Sequence, residues 1–565
     1  MADAAFFRPP FSRPLFTVGV AAIAVVAAAT FLFAAIYPYV ELVLTSMTDA
    51  SGKLSAVNWT RTFTAQYLLL TPLLHSLTMG AATALAAAAL GALLAWFAVR
   101  TDFPGGRAIP AFVAIPHVIP GFQLASAWVL IFTRGGLWQA FISAQAPLPA
   151  YGSVAIWLVL TIHLYLFSFL ACTGFLLTLN SALEEAARIA GLRPWRVLVR
   201  VTLPLMMPAS LSGALLCFAY AIEEFGAPSL LGVPTGYSTL TTVIYERATT
   251  PPLSFGSASV LSIVLGAVAV MVLIANVQFA ASRQVATISG KSSGRSKFSL
   301  GRARWPLAVP IWIFLLATSL APLAALTLTS FLDTWGRGYG PDNWTAARHL
   351  ALIANPELAK ALLNTLGVAI VAAALATLVG IIAAYGNVRL GAHWARAMDR
   401  ISFISLATPG LVTGVAIILA FGGGTLSLYG TYAILVVAYM VRFAGIAVRS
   451  VSTSLDRIGP DLESAGRIAG LSAARVLARI TLPLARQGIL AGFLLAFVNG
   501  VKEISATSLL VSQGHETLAY EAYLRFQEGS YTQGSAVSLW MIALSLAVAA
   551  FVARRRSALG QGALS

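Results

Sequence analysis

The chain has 565 residues, 58% of them hydrophobic and 10% charged, with a formal net charge of +16. Soluble domains carry about 25% charged residues, so a water-soluble globule is excluded and the bulk of the chain belongs in lipid. The basic excess is spread over many short connections rather than one domain, which fits cytoplasmic loops of a multi-pass protein and argues against nucleic-acid binding.

Arg8 and Arg13 precede an apolar run over 16–40. It is too long for a signal-peptide core and lacks a small-residue cleavage site, so it reads as a retained first helix with a cytoplasmic N-terminus. A membrane helix needs about 20 apolar residues. Further spans are predicted over 71–99, 109–133, 152–178, 209–231 and 257–281. After a basic stretch around Lys291, Arg295 and Lys297, six more follow over 306–330, 361–387, 400–421, 429–448, 488–511 and 534–553. The expected organisation is a first six-helix unit over 1–281, a flexible cytoplasmic linker over 282–305 and a second six-helix unit over 306–565. Placed this way, only Lys53, Arg61, Arg134, Arg247, Arg337, Arg348, Lys360 and Arg525 fall outside. Most of the remaining Lys and Arg fall inside, with both termini in the cytoplasm.

Cys172 and Cys217 lie in apolar runs, and the six histidines show no ligand spacing. No phosphate loop, nucleophile signature or Cys-x-x-Cys is present. No catalytic residue, metal ligand or cofactor is expected.

The most informative segment is written twice. Glu184-Glu185-Ala186-Ala187-Arg188-Ile189-Ala190-Gly191-Leu192 returns as Glu463-Ser464-Ala465-Gly466-Arg467-Ile468-Ala469-Gly470-Leu471. A Thr-Leu-Pro-Leu follows each at the same distance, beginning at Thr202 and Thr481 and carrying Pro204 and Pro483. Arg100 aligns with Arg389, and Pro120-Gly121 with Pro409-Gly410. An even number of spans separates the copies, so this is a parallel repeat and both motifs face the cytoplasm. Acids at the start of each segment suit a helix N-terminus, the small residues allow close approach, and Gly191 and Gly470 allow a sharp turn. A surface-lying amphipathic helix is the plainer reading of one copy; two copies on one side point to a docking element.

Glu185-Ala186-Ala187, Gly191, Val201 and Leu203-Pro204 resemble the "EAA loop" of binding-protein-dependent ABC importer permeases. In the second copy Ser464 stands for the motif glutamate and Gly466 for the second alanine, while Gly470, Ile480 and Leu482-Pro483 remain. The resemblance implies an all-α membrane protein of twelve transmembrane helices, arranged as two parallel-repeat six-helix bundles of the ABC importer permease (MetI-like) type. It implies coupling loops built on Glu184, Glu185, Ala186, Ala187, Gly191, Pro204, Glu463, Ala465, Gly470 and Pro483. It further implies a separate ATP-binding ABC subunit, expected as a homodimer, that hydrolyses ATP, so the chain itself is not an enzyme. A periplasmic or lipid-anchored substrate-binding protein completes the assembly in a bacterial inner membrane. The weaker second motif raises the expectation that the two loops grip unequally.

Glu223, Glu224, Lys502 and Glu503 occupy matching apolar segments of the two halves. Intramembrane charges are costly, about 2.5–3.5 kcal/mol each on insertion scales, and normally face a cavity or a partner. They are candidate pathway-lining residues; the alternatives are structural pairing or hydration near an interface. Arg442 is expected near the inner end of its helix, snorkelling. The runs 224–232 and 502–510 resemble the ferric-iron and phosphonate branch of these permeases, which implies ferric iron as cargo. 2-Aminoethylphosphonate, thiamine or a polyamine are the alternatives within that resemblance, and a gradient-driven secondary transporter the alternative outside it.

Overall fold

Proline placement decides where the long apolar segments of this chain break. A computed structural model describes residues 18–561 except Ala144, Ser181 and 283–296. Arg8 and Arg13, the far N-terminus, the middle of the linker and the last four residues lie outside the described residues. The described residues form helices, with isolated β-bridges only.

The first unit comprises α1 (Val18–Ser46), α2 (Leu70–Arg100), α3 (Ile109–Val118), α4 (Gly121–Phe132), α5 (Ser153–Thr178), α6 (Ala182–Ile189), α7 (Leu203–Glu223), α8 (Gly226–Leu231) and α9 (Phe255–Ser282). The second comprises α10 (Arg304–Ser330), α11 (Pro356–Val388), α12 (His393–Ala407), α13 (Gly410–Phe421), α14 (Tyr432–Asp456), α15 (Pro460–Ile468), α16 (Leu482–Val501), α17 (Thr507–Leu510) and α18 (Tyr531–Gln561). Among the described residues, ten helices are long and apolar enough to cross a membrane, or twelve if each of two bent pairs counts as one span.

Those pairs are α3–α4, bent by 95°, and α12–α13, bent by 114°. Each was expected as one straight span. The break falls where a proline forces its predecessor out of the helical region: Ile119 before Pro120 and Thr408 before Pro409 are both extended. The two ends of the first pair meet opposite ends of α10. Trp312, in the early turns of α10, donates to Pro104 O at 2.9 Å. A side chain at Gly135, beyond α4, would meet Gly336, just past the far end of α10. The bent pair therefore traverses the same thickness as a straight helix.

Each unit is centred on one three-helix crossing made possible by small residues. In the first, a Cβ at Gly91 of α2 would lie 2.6 Å from Phe169 N, and one at Gly213 of α7 would lie 2.6 Å from Ser168 Cα, both on α5. In the second, Gly380 of α11 and Gly492 of α16 meet Ala447 of α14 in the same registers, at 2.9 and 3.1 Å. Close backbone approach through Gly, Ala and Ser is how helices associate where lipid removes the hydrophobic driving force.

The first helix of each unit packs on the opposite unit. On α1, Tyr39 OH bonds Thr413 Oγ1 of α13 at 3.1 Å, and Phe33 and Tyr37 set their rings against Phe421. On α10, Ser319 donates to Phe112 O of α3 at 2.8 Å. The described end of the linker is seated against the first unit at Phe298 to Leu300, with Phe298 bridged to Thr101. That part was expected to be flexible; paired backbone and a buried ring hold it.

Two other boundaries differ from expectation. The spans placed at 209–231 and 488–511 instead follow a helical path that starts at the repeated motif and ends at Glu223 and Val501. Short helices α8 and α17 follow as separate elements.

Candidate functional site

Both repeated segments fold alike. In the first, α6 closes at Gly191, whose φ is +84°, and a short helix Pro194–Val197 runs through a π-helical turn (Leu198–Thr202) into α7. In the second, α15 closes at Gly470, φ +83°, and Ala473–Val476 runs through a π turn (Leu477–Thr481) into α16. The left-handed conformation favours glycine and lets Leu192 N reach Ala187 O at 3.1 Å and Leu471 N reach Gly466 O at 3.0 Å, closing each helix end. A proline inside an α-helix clashes with the carbonyl four residues back. The wider π turn just before Pro204 and Pro483 shifts that carbonyl, so the chain turns into the bundle without a break.

One buried acid seats each loop. Glu184, 2% exposed, accepts from Thr202 Oγ1 at 2.7 Å and pairs with Arg100 Nε at 3.5 Å. Arg100 also donates to Leu176 O and Leu179 O, both at 2.8 Å, at the end of α5. Glu463, 5% exposed, accepts from Thr481 Oγ1 at 3.0 Å and from Arg389 Nε at 2.9 Å. Arg389 donates to Leu455 O and Ile458 O at 3.1 and 2.7 Å. Each arginine thus ties the end of one long helix to the end of another and to the loop between.

Glu185 and Ser464 are half-buried, and Ala186, Ala465, Gly191, Gly470, Pro204 and Pro483 are exposed. The position where the two copies differ most therefore takes no part in seating the loop; Glu184 and Glu463, which do, are identical. Ile189 and Ile468 are each 88% exposed, and Leu183 and Leu462 each 51%. Both loops offer the same apolar tip. Arg100, Arg389, Thr202 and Thr481 were given no functional role from the sequence, although each recurs in both halves.

Both loops lie at one end of the molecule. Between Arg100 and Arg389, α10 runs away from the first loop and α11 returns. At the far end the units meet through Ser229 Oγ and Tyr523 OH at 2.7 Å and through Tyr151 OH and Tyr531 OH at 3.5 Å.

Charged side chains gather between the units, at the breaks after α7 and α16. Glu503 Oε1 accepts from Ala506 N at 2.9 Å, capping the turn that leads into α17, and the carboxylate pairs with Arg442 at 3.4 Å. Arg442 was expected to snorkel; instead it sits in the middle of α14, half-buried, with Gly410 against its guanidinium so closely that a Cβ there would collide. Glu224 is the counterpart of Glu503, and a Cβ at Gly121 would lie 2.8 Å from its Oε1. In both units the Pro-Gly hinge of the bent pair thus closes on the charged break.

The register of Arg442 is filled in the first unit by His163. Its Nδ1 donates to Pro116 O at 3.2 Å, and His117 Nδ1 donates to His163 O at 3.2 Å. Lys502, half-buried, interacts electrostatically with Glu224 and Glu503 and faces both histidines. Its counterpart Glu223 lines a cleft with Tyr220 and Asn276 on one side and Phe403, Leu406 and Ala407 of the opposite unit on the other. Of the four charges singled out in the sequence, Glu223 and Lys502 stand half-buried between the units, Glu224 is half-buried against Gly121, and Glu503 alone is buried. No group of three or more His, Cys, Asp or Glu with metal-binding geometry exists among the described residues.

Comparison with known proteins agrees with this construction. A protein named as a ferric transport system permease, FbpB 1 of Haemophilus influenzae, is 25% identical over 434 residues, covering 75% of this chain and 67% of that one. A protein named as a 2-aminoethylphosphonate transport system permease, PhnV of Salmonella typhimurium, is 27% identical over 240 residues, covering 42% of this chain and 90% of that one. A crystal structure of a bacterial ABC transporter involved in the import of the acidic polysaccharide alginate matches 44% of this chain and 93% of that chain at 14% identity, TM-score 0.33. The family model of the binding-protein-dependent transport system inner membrane component matches twice, at residues 87–287 and 376–557. Each match contains one Arg–Glu–Thr seat and one glycine-closed loop, and the chain belongs to this family as a fused, two-unit, multi-pass membrane permease of the ABC importer type.

Proposed function

We propose that the chain forms the translocation pathway of an importer whose motor is a separate ATP-binding subunit, docked on both repeated loops. The observation that carries the reading is the twin seat. Glu184 and Glu463 are buried in matching clusters while Ile189 and Ile468 are equally exposed at the same end. A loop tied by arginine to two long helices moves those helices when it is moved. Two identical tips fit a homodimeric motor. The excess of Lys and Arg on one side supports putting the loops, the linker and both chain ends in the cytoplasm. The units are taken as 1–281 and 306–565.

A periplasmic or lipid-anchored binding protein would then deliver cargo at the far end. ATP binding and hydrolysis bias inward- and outward-open states only through contacts that differ between them. The two Pro-Gly hinges closing on charged breaks are where such contacts would change.

Ferric iron is the proposed cargo, supported by the naming of the relative in Haemophilus influenzae and by Glu223 in the cleft between units. Carboxylate oxygen suits a hard cation, and a transport pathway has no need of a dense ligand cluster. Lys502 is the observation that favours a second reading, an anionic phosphonate as in the relative from Salmonella typhimurium. Uptake of labelled iron, 2-aminoethylphosphonate and thiamine in a strain lacking the gene separates these. Loss of iron uptake alone supports the first reading, and unchanged iron uptake removes it.

A further inference from the structure

We propose that Phe298, in the connection between the two units, is a positioning residue of the first coupling loop, holding Arg188 from the linker.

The same registers hold different side chains in the two units. Four residues before Arg389 stands Tyr385; four residues before Arg100 stands Trp96. Four residues after Glu463 stands Arg467; four residues after Glu184 stands Arg188. In the second unit Arg467 stands near Tyr385, whose buried hydroxyl makes no hydrogen bond, beside the Arg389–Glu463 pair. In the first unit the aromatic ring that meets the arginine comes from the linker.

Phe298 is 2% exposed and lies on Trp96, with ring centroids 6.3 Å apart. Arg188 of α6 stands over its ring at 5.5 Å. A guanidinium over an aromatic face within about 6 Å is attracted by the ring quadrupole. The backbone of Phe298 is fixed on both sides, its N donating to Arg100 O at 2.8 Å and its O accepting from Asp102 N at 3.0 Å. Asp102 Oδ1 accepts from Leu300 N at 2.8 Å, and Ser299 reaches Asp102 Oδ2 at 3.3 Å. The linker is thus stitched to the segment whose Arg100 side chain holds Glu184. A fused chain can seat one loop through its own connection, a route open only to the first unit.

The transport consequence rests on the docking reading; the local consequence does not. Amide hydrogen exchange on the full chain in lipid nanodiscs separates them. In F298A, exchange over 182–202 is expected to rise about fivefold, the scale of one partly buried cation–π contact, with 463–481 unchanged. F298L keeps apolar volume but loses the ring face, and is expected to show the same rise; F298W is expected to restore protection. With the ATP-binding subunit bound, F298A and F298L should raise ATP hydrolysed per cargo moved, and F298W should not. Unchanged exchange over 182–202 in F298A, an equal rise in both loops, or wild-type protection in F298L would overturn the proposal. Failure of any ATP-binding subunit to bind the wild-type chain would instead overturn the docking reading.

Discussion

Gly466 and Ile480 are in such close contact that a Cβ at Gly466 would lie 2.5 Å from Ile480 Cδ1. In the first unit the same two registers hold Ala187 and Val201. One methyl has moved from one side of the contact to the other, so the second motif's departure from alanine is a volume exchange rather than decay. Gly466→Ala is expected to destabilise by about 1–3 kcal/mol through overpacking. Adding Ile480→Val should recover most of it. A double-mutant cycle read by thermal unfolding in detergent checks this, and additive effects would refute the contact.

The Arg–Glu seats make a second prediction. Removing one partner of a buried pair leaves an uncompensated charge and costs about 3–5 kcal/mol. Glu184→Ala and Glu463→Ala should each lower the unfolding midpoint and abolish coupled ATP hydrolysis. Glu185→Ala should leave the midpoint unchanged, since Glu185 takes no part in the seat. Equal effects at Glu184 and Glu185 would contradict the assignment.

The loop glycines make a third. Both have φ above +80° and open space around them, so a side chain is opposed by backbone strain and not by collision. That strain is about 1–2 kcal/mol per residue. Gly191→Val with Gly470→Val should permit insertion and folding yet uncouple ATP hydrolysis from transport. Normal uptake in the double variant would remove these loops from the coupling path.

A fourth prediction concerns the centre of the molecule. Arg442→Met leaves Glu503 buried without its cation, at a cost of about 3–5 kcal/mol. Arg442→Met with Glu503→Gln should be more stable than Arg442→Met alone. Lys502→Met, in contrast, should alter cargo uptake more than stability, because Lys502 stands half-buried between the units. Unfolding midpoints and initial uptake rates measured on the same variants decide it.

The parallel repeat, the two loops and their glycine turns were legible in the sequence because they depend on local residue types at constant spacing. The acid that seats each loop was legible as a repeated residue, but attention to the familiar motif favoured Glu185 over Glu184. What burial singles out, Arg100, Thr202 and their second-unit counterparts, depends on where helix ends meet, which no local pattern reports. The two bends were signalled by Pro120 and Pro409, yet apolar length alone read them as straight spans. The exchange of α1 and α10 between units had no sequence signal, since a helix that faces either unit or lipid is apolar all round. Arg442 was placed at a helix end because its partner, Glu503, lies 61 residues away.

The central claim is that an external motor moves both loops together. Reconstitution of the purified chain in proteoliposomes, with and without an ATP-binding subunit and binding protein, measures it directly. The account predicts cargo uptake only when the ATP-binding subunit and ATP are both present, lost when either Glu184 or Glu463 is replaced. Uptake by the chain alone, driven by a proton or sodium gradient, would contradict it.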